Sequence, residues 1–419
     1  MIVALVIVLA LIGVPLFAVL ALATLLGFWR AELDPGLMVM EFLGFADHIK
    51  LAAVPLFAFC SVLILRSRLP ERIHQLQQSA AGMSLVVGGV SSVIVFMLAG
   101  ALTGVSILLL SVIAASELGH RARTDQEMQP DSRLRNAGLS SGSLIAPSAA
   151  ILLLAVAGNQ LAPGSGMAPL NLYLAGVVPA LMVAVLLGGL AMLDGGAGEG
   201  WKQSPQTRSR AIYGIGWEFP LPLVVIGGIY SGWLDLLEAG LLATVWLFVV
   251  LVLIRGEVGL SKLPDIIADS VIWSASIILL LGLSLVAAGA MSDAGIPQQF
   301  ESMMATLPAT KVLFWLTVIA AVMMIGMLLE IPAGCAVCGP LLVSTGLALG
   351  INPVQLAIVI LLALHVGRVA SSTLCLRSAS GKNRGLEGAS SGSGVFLAAF
   401  LLLPFIIAFW PQLTLWGFS

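Results

Sequence analysis

The sequence predicts an all-α integral membrane protein with two inverted repeats, paired re-entrant hairpins and interrupted helices. Three observations carry that prediction. Of the 419 residues, 59% are hydrophobic and 10% are charged, against about 25% charged in a soluble domain, so most of the surface must face lipid. Apolar stretches long enough to cross about 30 Å of hydrocarbon recur along the whole chain. Two further stretches are broken midway by small or helix-breaking residues, and the pattern of the first half returns in the second.

The first apolar run, Met1 to Trp29, is too long for a signal-peptide core and lacks a basic start, so it reads as a retained crossing over 2–29. Eight more crossings follow at about 51–66, 137–157, 170–193, 213–231, 236–254, 266–288, 353–376 and 393–416. The stretches 82–116 and 311–345 are interrupted, the first around Gly100, Thr103 and Gly104, the second around Glu330, Pro332 and Gly334. Both read as re-entrant hairpins, since backbone freed at membrane depth survives only where protein or a water-filled cavity satisfies it. The chain then divides into scaffold helices and an interfacial arm (1–81), a first transport half (82–160), scaffold helices around a central one (161–265), a helix and outer arm (266–310), a second transport half (311–380) and a C-terminal helix (381–419).

Loop charge orients these spans, because Lys and Arg stay cytoplasmic. With the amino terminus inside, fifteen of the nineteen basic residues are cytoplasmic: Arg66, Arg68, Arg72, Arg121, Arg123, Arg133, Arg135, Lys202, Arg208, Arg210, Arg255, Lys262, Arg377, Lys382 and Arg384. Arg30, Lys50 and Lys311 lie outside, and Arg368 falls within a span. The carboxyl terminus is then periplasmic, and the loop 30–50 is an acidic outer one. A net charge of −2 without basic runs excludes nucleic-acid binding.

Leu69, Pro70, Glu71 and Arg72 have a counterpart 227 residues on in Ile296, Pro297, Gln298 and Gln299. The same offset lays Thr103-Gly104 on Glu330-Ile331 and the first helix on 229–256. With a slip of two residues, Gly142 to Ser148 falls on Gly367 to Thr373. An odd number of crossings separates the halves, so the second is inverted, an arrangement typical of secondary transporters.

Several stretches resemble the large membrane subunit of tripartite ATP-independent periplasmic (TRAP) transporters. They are Gly13-Val14-Pro15, Val54-Pro55-Leu56-Phe57, Leu144-Ile145-Ala146-Pro147-Ser148, Gly227-Gly228-Ile229-Tyr230-Ser231-Gly232 with Glu238-Ala239, and Gly350-Ile351-Asn352-Pro353. The similarity covers nearly the whole chain. It implies a multi-pass protein of the bacterial inner membrane that imports a small organic anion by an elevator movement driven by an ion gradient, with Na⁺ as the coupling ion and no other cofactor. It also implies two partners, a small four-helix membrane subunit and a periplasmic solute-binding protein. A stand-alone anion carrier or ion antiporter of the same architecture, and a non-transporting scaffold that has lost its ion sites, are the alternatives.

The candidate sites lie at the hairpin tips and helix interruptions, where freed backbone groups and hydroxyls can meet an ion or a carboxylate. In the first half these are Thr103, Gly104, Val105 and Ser106, facing Ser140, Ser141, Gly142, Ala146, Pro147 and Ser148. The family resemblance implies a sodium site there, although Ala146 replaces one of two usual prolines. In the second half they are Glu330, Pro332, Ala333 and Gly334 at the tip, with His365, Gly367, Arg368, Ser371, Ser372 and Thr373 at the expected interruption. This half departs from the family pattern, with no proline pair and Ala363 in place of an Asn, which counts against a second Na⁺ site. Three readings of Arg368 stand: a fixed charge replacing a cation and paired with Glu330, a group beside a titrating Glu330 or His365, or a side chain snorkelling to water.

Glu218, beside Trp217, reads as an interfacial anchor. Glu238 either touches the binding protein or caps its helix. Arg68, Pro70, Arg72 and His74 open an amphipathic arm over 70–81. Cys60, Cys335, Cys338 and Cys375 lie in apolar surroundings and read as packing residues. No catalytic triad, phosphate loop or metal motif marks an enzyme.

Overall fold

The structure is a computed structural model that describes residues 14, 16–30, 34–46, 49–73, 97, 141–145, 147–161, 164–193, 213–293, 299, 302, 310–329, 331–379 and 392–416. Twelve helices of eleven residues or more carry the described part: α1 Leu16–Arg30, α2 Pro35–Ala46, α3 Ala53–Leu65, α4 Ala149–Leu161, α5 Pro169–Leu193, α6 Pro220–Tyr230, α7 Leu236–Phe248, α8 Leu263–Asp293, α9 Thr310–Leu328, α10 Ile331–Ala348, α11 Pro353–Ala379 and α12 Gly392–Phe409. Among the described residues six helices are long and apolar enough to cross a membrane, including α5, α8, α9, α10 and α11. The first hairpin, with Thr103, Gly104, Val105 and Ser106, lies outside the described residues apart from Met97, as do Ser140, Ala146 and Glu330.

Local chemistry explains where the helices begin, and where they depart from expectation. The loop 30–50, expected as an outer loop, contains α2. Asp34 Oδ1 accepts the Gly36 N–H at 2.8 Å and Pro35 opens the first turn, a capped start that the charge count passed over. The central helix expected over 213–231 is shorter. Residues 215–219 are turns, because Pro220 and Pro222 have no N–H to carry the helical ladder back through them. By contrast α7 begins on a capping box, in which Glu238 N–H donates to Asp235 Oδ1 at 2.8 Å and Asp235 N–H donates to Glu238 Oε2 at 3.0 Å.

The largest correction concerns α11. An interruption was expected around Ala370, Ser371 and Ser372, yet the helix runs unbroken for 27 residues. After Pro353 it contains no proline, so no backbone N–H is missing, and the Ser371 hydroxyl donates to the Arg368 carbonyl at 2.9 Å without breaking the turn. In the first half Pro147 is present, and there the helix does break, with Ile145 extended at φ −113° and ψ 148°.

Helix α11 is the central strut of the structure. Every residue from Val354 to Gly367 is buried, against α5, α9, α10 and α12. Helix α10 wedges between α11, α4 and α8, while α3 packs on α7 and α8. The outward faces of these helices carry large exposed apolar side chains, including Leu181, Val185, Val271, Ile272, Leu316, Met324 and Leu402. In water such faces would drive aggregation; in a bilayer they meet lipid.

Candidate ion and substrate site

The break in the first half places a short 3₁₀ turn, Gly142–Leu144, and the extended Ile145 between Ser141 and α4. Ser141, Gly142, Pro147 and Ser148 are all buried. Two glycine contacts explain why the turn fits. A Cβ on Gly176 of α5 would lie 2.5 Å from the Leu144 carbonyl oxygen, so only glycine lets α5 pass this close. On the other side, a Cβ on Gly339 of α10 would lie 2.8 Å from the Leu154 side chain of α4.

Ser148 has a structural place at the break. Its carbonyl accepts the Tyr173 hydroxyl at 3.1 Å and the Leu152 N–H at 3.0 Å, and its own N–H donates to the Tyr173 hydroxyl at 3.2 Å. Its Oγ accepts the Ile151 N–H at 3.4 Å. Ser148 is therefore the N-cap of α4, and Tyr173 holds it in place. Tyr230 continues the chain of contacts by donating to the Tyr173 carbonyl at 3.1 Å.

What the fold does bring together is the first-half turn and His365 of α11. The Nε2 of His365 lies 3.1 Å from Ser141 Oγ and its Nδ1 lies 3.3 Å from Ser143 Oγ, with all three side chains buried. Ser143 was not singled out from the sequence, although its position two residues after Ser141 at a break was a usable signal. Gly367 and Gly326 bring α11 and α9 into backbone contact: a Cβ on Gly367 would lie 2.1 Å from the Met323 carbonyl oxygen, and one on Gly326 would lie 2.4 Å from that of Leu364. At the start of α10, Pro332 and Gly334 are buried and Ala333 is half-buried; a Cβ on Gly334 would lie 2.6 Å from the Leu364 side chain. Arg368, one turn beyond His365, and Ser371 are half-buried, and Ser372 and Thr373 continue the helix. Cys60, Cys335 and Cys338 are buried and free, packed within the helices.

A second charged site was missed from the sequence. Glu218, expected at a membrane edge, is 4% exposed and lies between two arginines. Arg72 Nη2 donates to Glu218 Oε1 at 2.7 Å, and Arg255 Nη2 donates to Glu218 Oε2 at 2.9 Å. Arg255 Nε lies 2.8 Å from Glu218 Oε1, close enough for an ion pair though not aligned as a hydrogen bond. Arg72 also bonds Glu257, which accepts the Arg68 backbone N–H at 2.9 Å. Arg255 donates further to the Gly214 carbonyl at 2.6 Å. Three chain segments, at 66–73, 214–218 and 255–257, are thus tied by two carboxylates and two guanidiniums. Burial pushes the Glu257 carboxyl up, but the Arg72 hydrogen bond, the Arg68 N–H and the charges of Arg72 and Arg255 outweigh it and hold it below its ordinary value. The available signal was topological: in a chain this poor in charge, acids and arginines placed on one face should seek each other.

Comparison with known proteins agrees with this architecture. Residues 3–371 match the family of the tripartite ATP-independent periplasmic transporter, DctM component. A 2,3-diketo-L-gulonate TRAP transporter large permease protein of Escherichia coli is 23% identical over 85% of this chain and 84% of its own length. A C4-dicarboxylate TRAP transporter large permease protein of Rhodobacter capsulatus is 28% identical over 54% of each chain. An ectoine/5-hydroxyectoine TRAP transporter large permease protein of Ruegeria pomeroyi is 24% identical over 98% of this chain and 96% of its own. Among solved structures, the YdaH transporter of Alcanivorax borkumensis shares the fold, with a TM-score of 0.52 at 15% identity, covering 89% of this chain and 87% of that one. The family is one of transporter permeases, whose members work with a small membrane subunit and a periplasmic binding protein. The apolar helices, the interrupted first half and the match over nearly the full chain place this multi-pass membrane protein in the TRAP transporter large permease family.

Proposed function

We propose that this chain imports a small organic anion, of the carboxylate class, as the transport subunit of a Na⁺-driven carrier supplied by a periplasmic solute-binding protein and joined by a small four-helix subunit. The observation that carries the reading is the broken first-half helix beside α11 of the other half, with Ser141, Ser143 and His365 in contact. A non-helical turn at membrane depth releases backbone groups from helical pairing and makes a place for a cation, and a bound cation in turn attracts an anion. The carboxylate names of two relatives favour the same substrate class. The family resemblance supports an elevator movement, and the loop charges support a cytoplasmic amino terminus and a periplasmic carboxyl terminus.

Uptake in proteoliposomes containing both partners tests this. A labelled carboxylate should accumulate only under an inward Na⁺ gradient and only with the binding protein present. Flux without the partners would assign the chain to stand-alone carriers, and no flux under either Na⁺ or H⁺ gradients would make it a scaffold. Arg368, in this reading, supplies a fixed positive charge in the second half where the family pattern for Na⁺ is absent. Arg368→Gln is therefore expected to abolish uptake while the protein remains folded. Unchanged uptake would instead identify Arg368 as a side chain snorkelling to water.

A further inference from the structure

We infer that His365 is a positioning residue for the cation site, acting through Ser141 and Ser143 across the boundary between the two halves. The inference rests on the Na⁺-driven reading above. Ser141 and Ser143 sit at a turn where an α-helix would otherwise run, and a serine hydroxyl rotates freely unless a partner fixes it. His365 contacts both, at 3.1 and 3.3 Å, from more than 220 positions away in sequence. In the neutral ring one nitrogen accepts the hydrogen of one hydroxyl and the other donates its N–H to the oxygen of the other, so each serine oxygen is oriented, one by its hydrogen and one by a lone pair.

The ring is itself held. His365 is fully buried in α11, and the glycine contacts on either side of it, Gly326 against Leu364 and Gly367 against Met323, bring α11 and α9 into backbone contact there. The imidazole is thus a rigid template behind two movable ligands. The logic is that of an outer-shell partner at a metal centre, which aligns the ligand without touching the ion. It also explains how a chain with only one of the two usual prolines at the break, Pro147 beside Ala146, keeps a defined ligand geometry: orientation lost from the backbone is restored from the opposite half.

The test is Na⁺-driven uptake by the complete transporter as a function of external Na⁺, for wild type, His365→Leu and His365→Gln. The glutamine amide offers one donor and one acceptor, as a neutral imidazole does. His365→Leu is expected to raise the Na⁺ concentration for half-maximal uptake about tenfold or more, with the rate at saturating Na⁺ retained, and His365→Gln to restore most of that affinity. A merely structural role would lower folded yield and maximal rate without that split. If His365→Leu does not fold, His365→Met takes its place: Ser141→Ala and Ser143→Ala should each raise half-saturation in wild type and in His365→Gln, and have a smaller effect in His365→Met, since coupled residues are not additive. Unchanged half-saturation in His365→Leu, or fully additive serine effects, would overturn the inference alone. Absence of any Na⁺ dependence in the wild type would overturn it together with the reading it rests on.

Discussion

Glu218→Gln is expected to destabilise the protein by about 3 kcal/mol, read as a lowered thermal unfolding midpoint in detergent, because it leaves two half-buried guanidiniums facing a neutral amide. The carboxylate it removes is 4% exposed and shared by Arg72 and Arg255. Removing all four charges together, as Arg72→Met, Glu218→Leu, Arg255→Met and Glu257→Leu, should cost less than the single change, since a buried ion network pays its own desolvation when intact. If the quadruple variant is the less stable one, the network contributes net stability and this account of it is wrong. Acid should act in the same direction as Glu218→Gln. Glu257 is held below the ordinary carboxylate value in the folded protein. Its contribution is therefore complete above that ordinary value and is lost as pH falls through the depressed one. A melting profile across the acid range should flatten in Glu257→Gln relative to wild type.

This cluster fixes the turn after α3 to the entrance of α6 and to the link between α7 and α8. Leu69 and Ile73, on the same turn, are buried. The counterpart segment 227 residues on carries Gln299 where Arg72 stands.

Much of the fold was legible because bilayer thickness imposes a length on every apolar run, and because proline removes a backbone N–H, which accompanies the break at Pro147 although Pro179, Pro340 and Pro404 are carried inside helices. The break at Pro147 and the helices α5 and α7 follow from those two rules. What stayed hidden needed other information. The helix Pro35–Ala46 was masked by the acidic residues used to assign a loop, although Asp34 and Pro35 spelled a capped start. The continuity of α11 was obscured by the repeat itself: aligning Gly367 with Gly142 carried over a break that the second half has no proline to make. Partners for Glu218 come from segments 37 and 146 residues away, and local pattern does not reach that far. The meeting of His365 with Ser141 and Ser143 was hidden for the same reason, though all but Ser143 were among the expected site residues.

Gly367→Ala is expected to be among the most damaging single-methyl changes in the chain. The added Cβ would lie 2.1 Å from the Met323 carbonyl oxygen and 2.9 Å from its carbon, and neither is the end of a flexible side chain. Relief requires α9 and α11 to separate, at the most buried helix of the structure, for a cost of about 3 kcal/mol. Gly227→Ala provides the control: its Cβ would meet nothing within 4 Å in an ordinary helix, so that variant should match or slightly exceed wild-type stability. Separation at Gly367 also moves His365, two residues earlier, away from the serines it orients. Gly367→Ala protein that still folds should therefore combine a lowered melting point with a raised Na⁺ half-saturation, whereas Gly227→Ala should show neither defect. A normal melting point for Gly367→Ala would mean that α11 and α9 are not in backbone contact, and the rigid seat of His365 would fall with that contact.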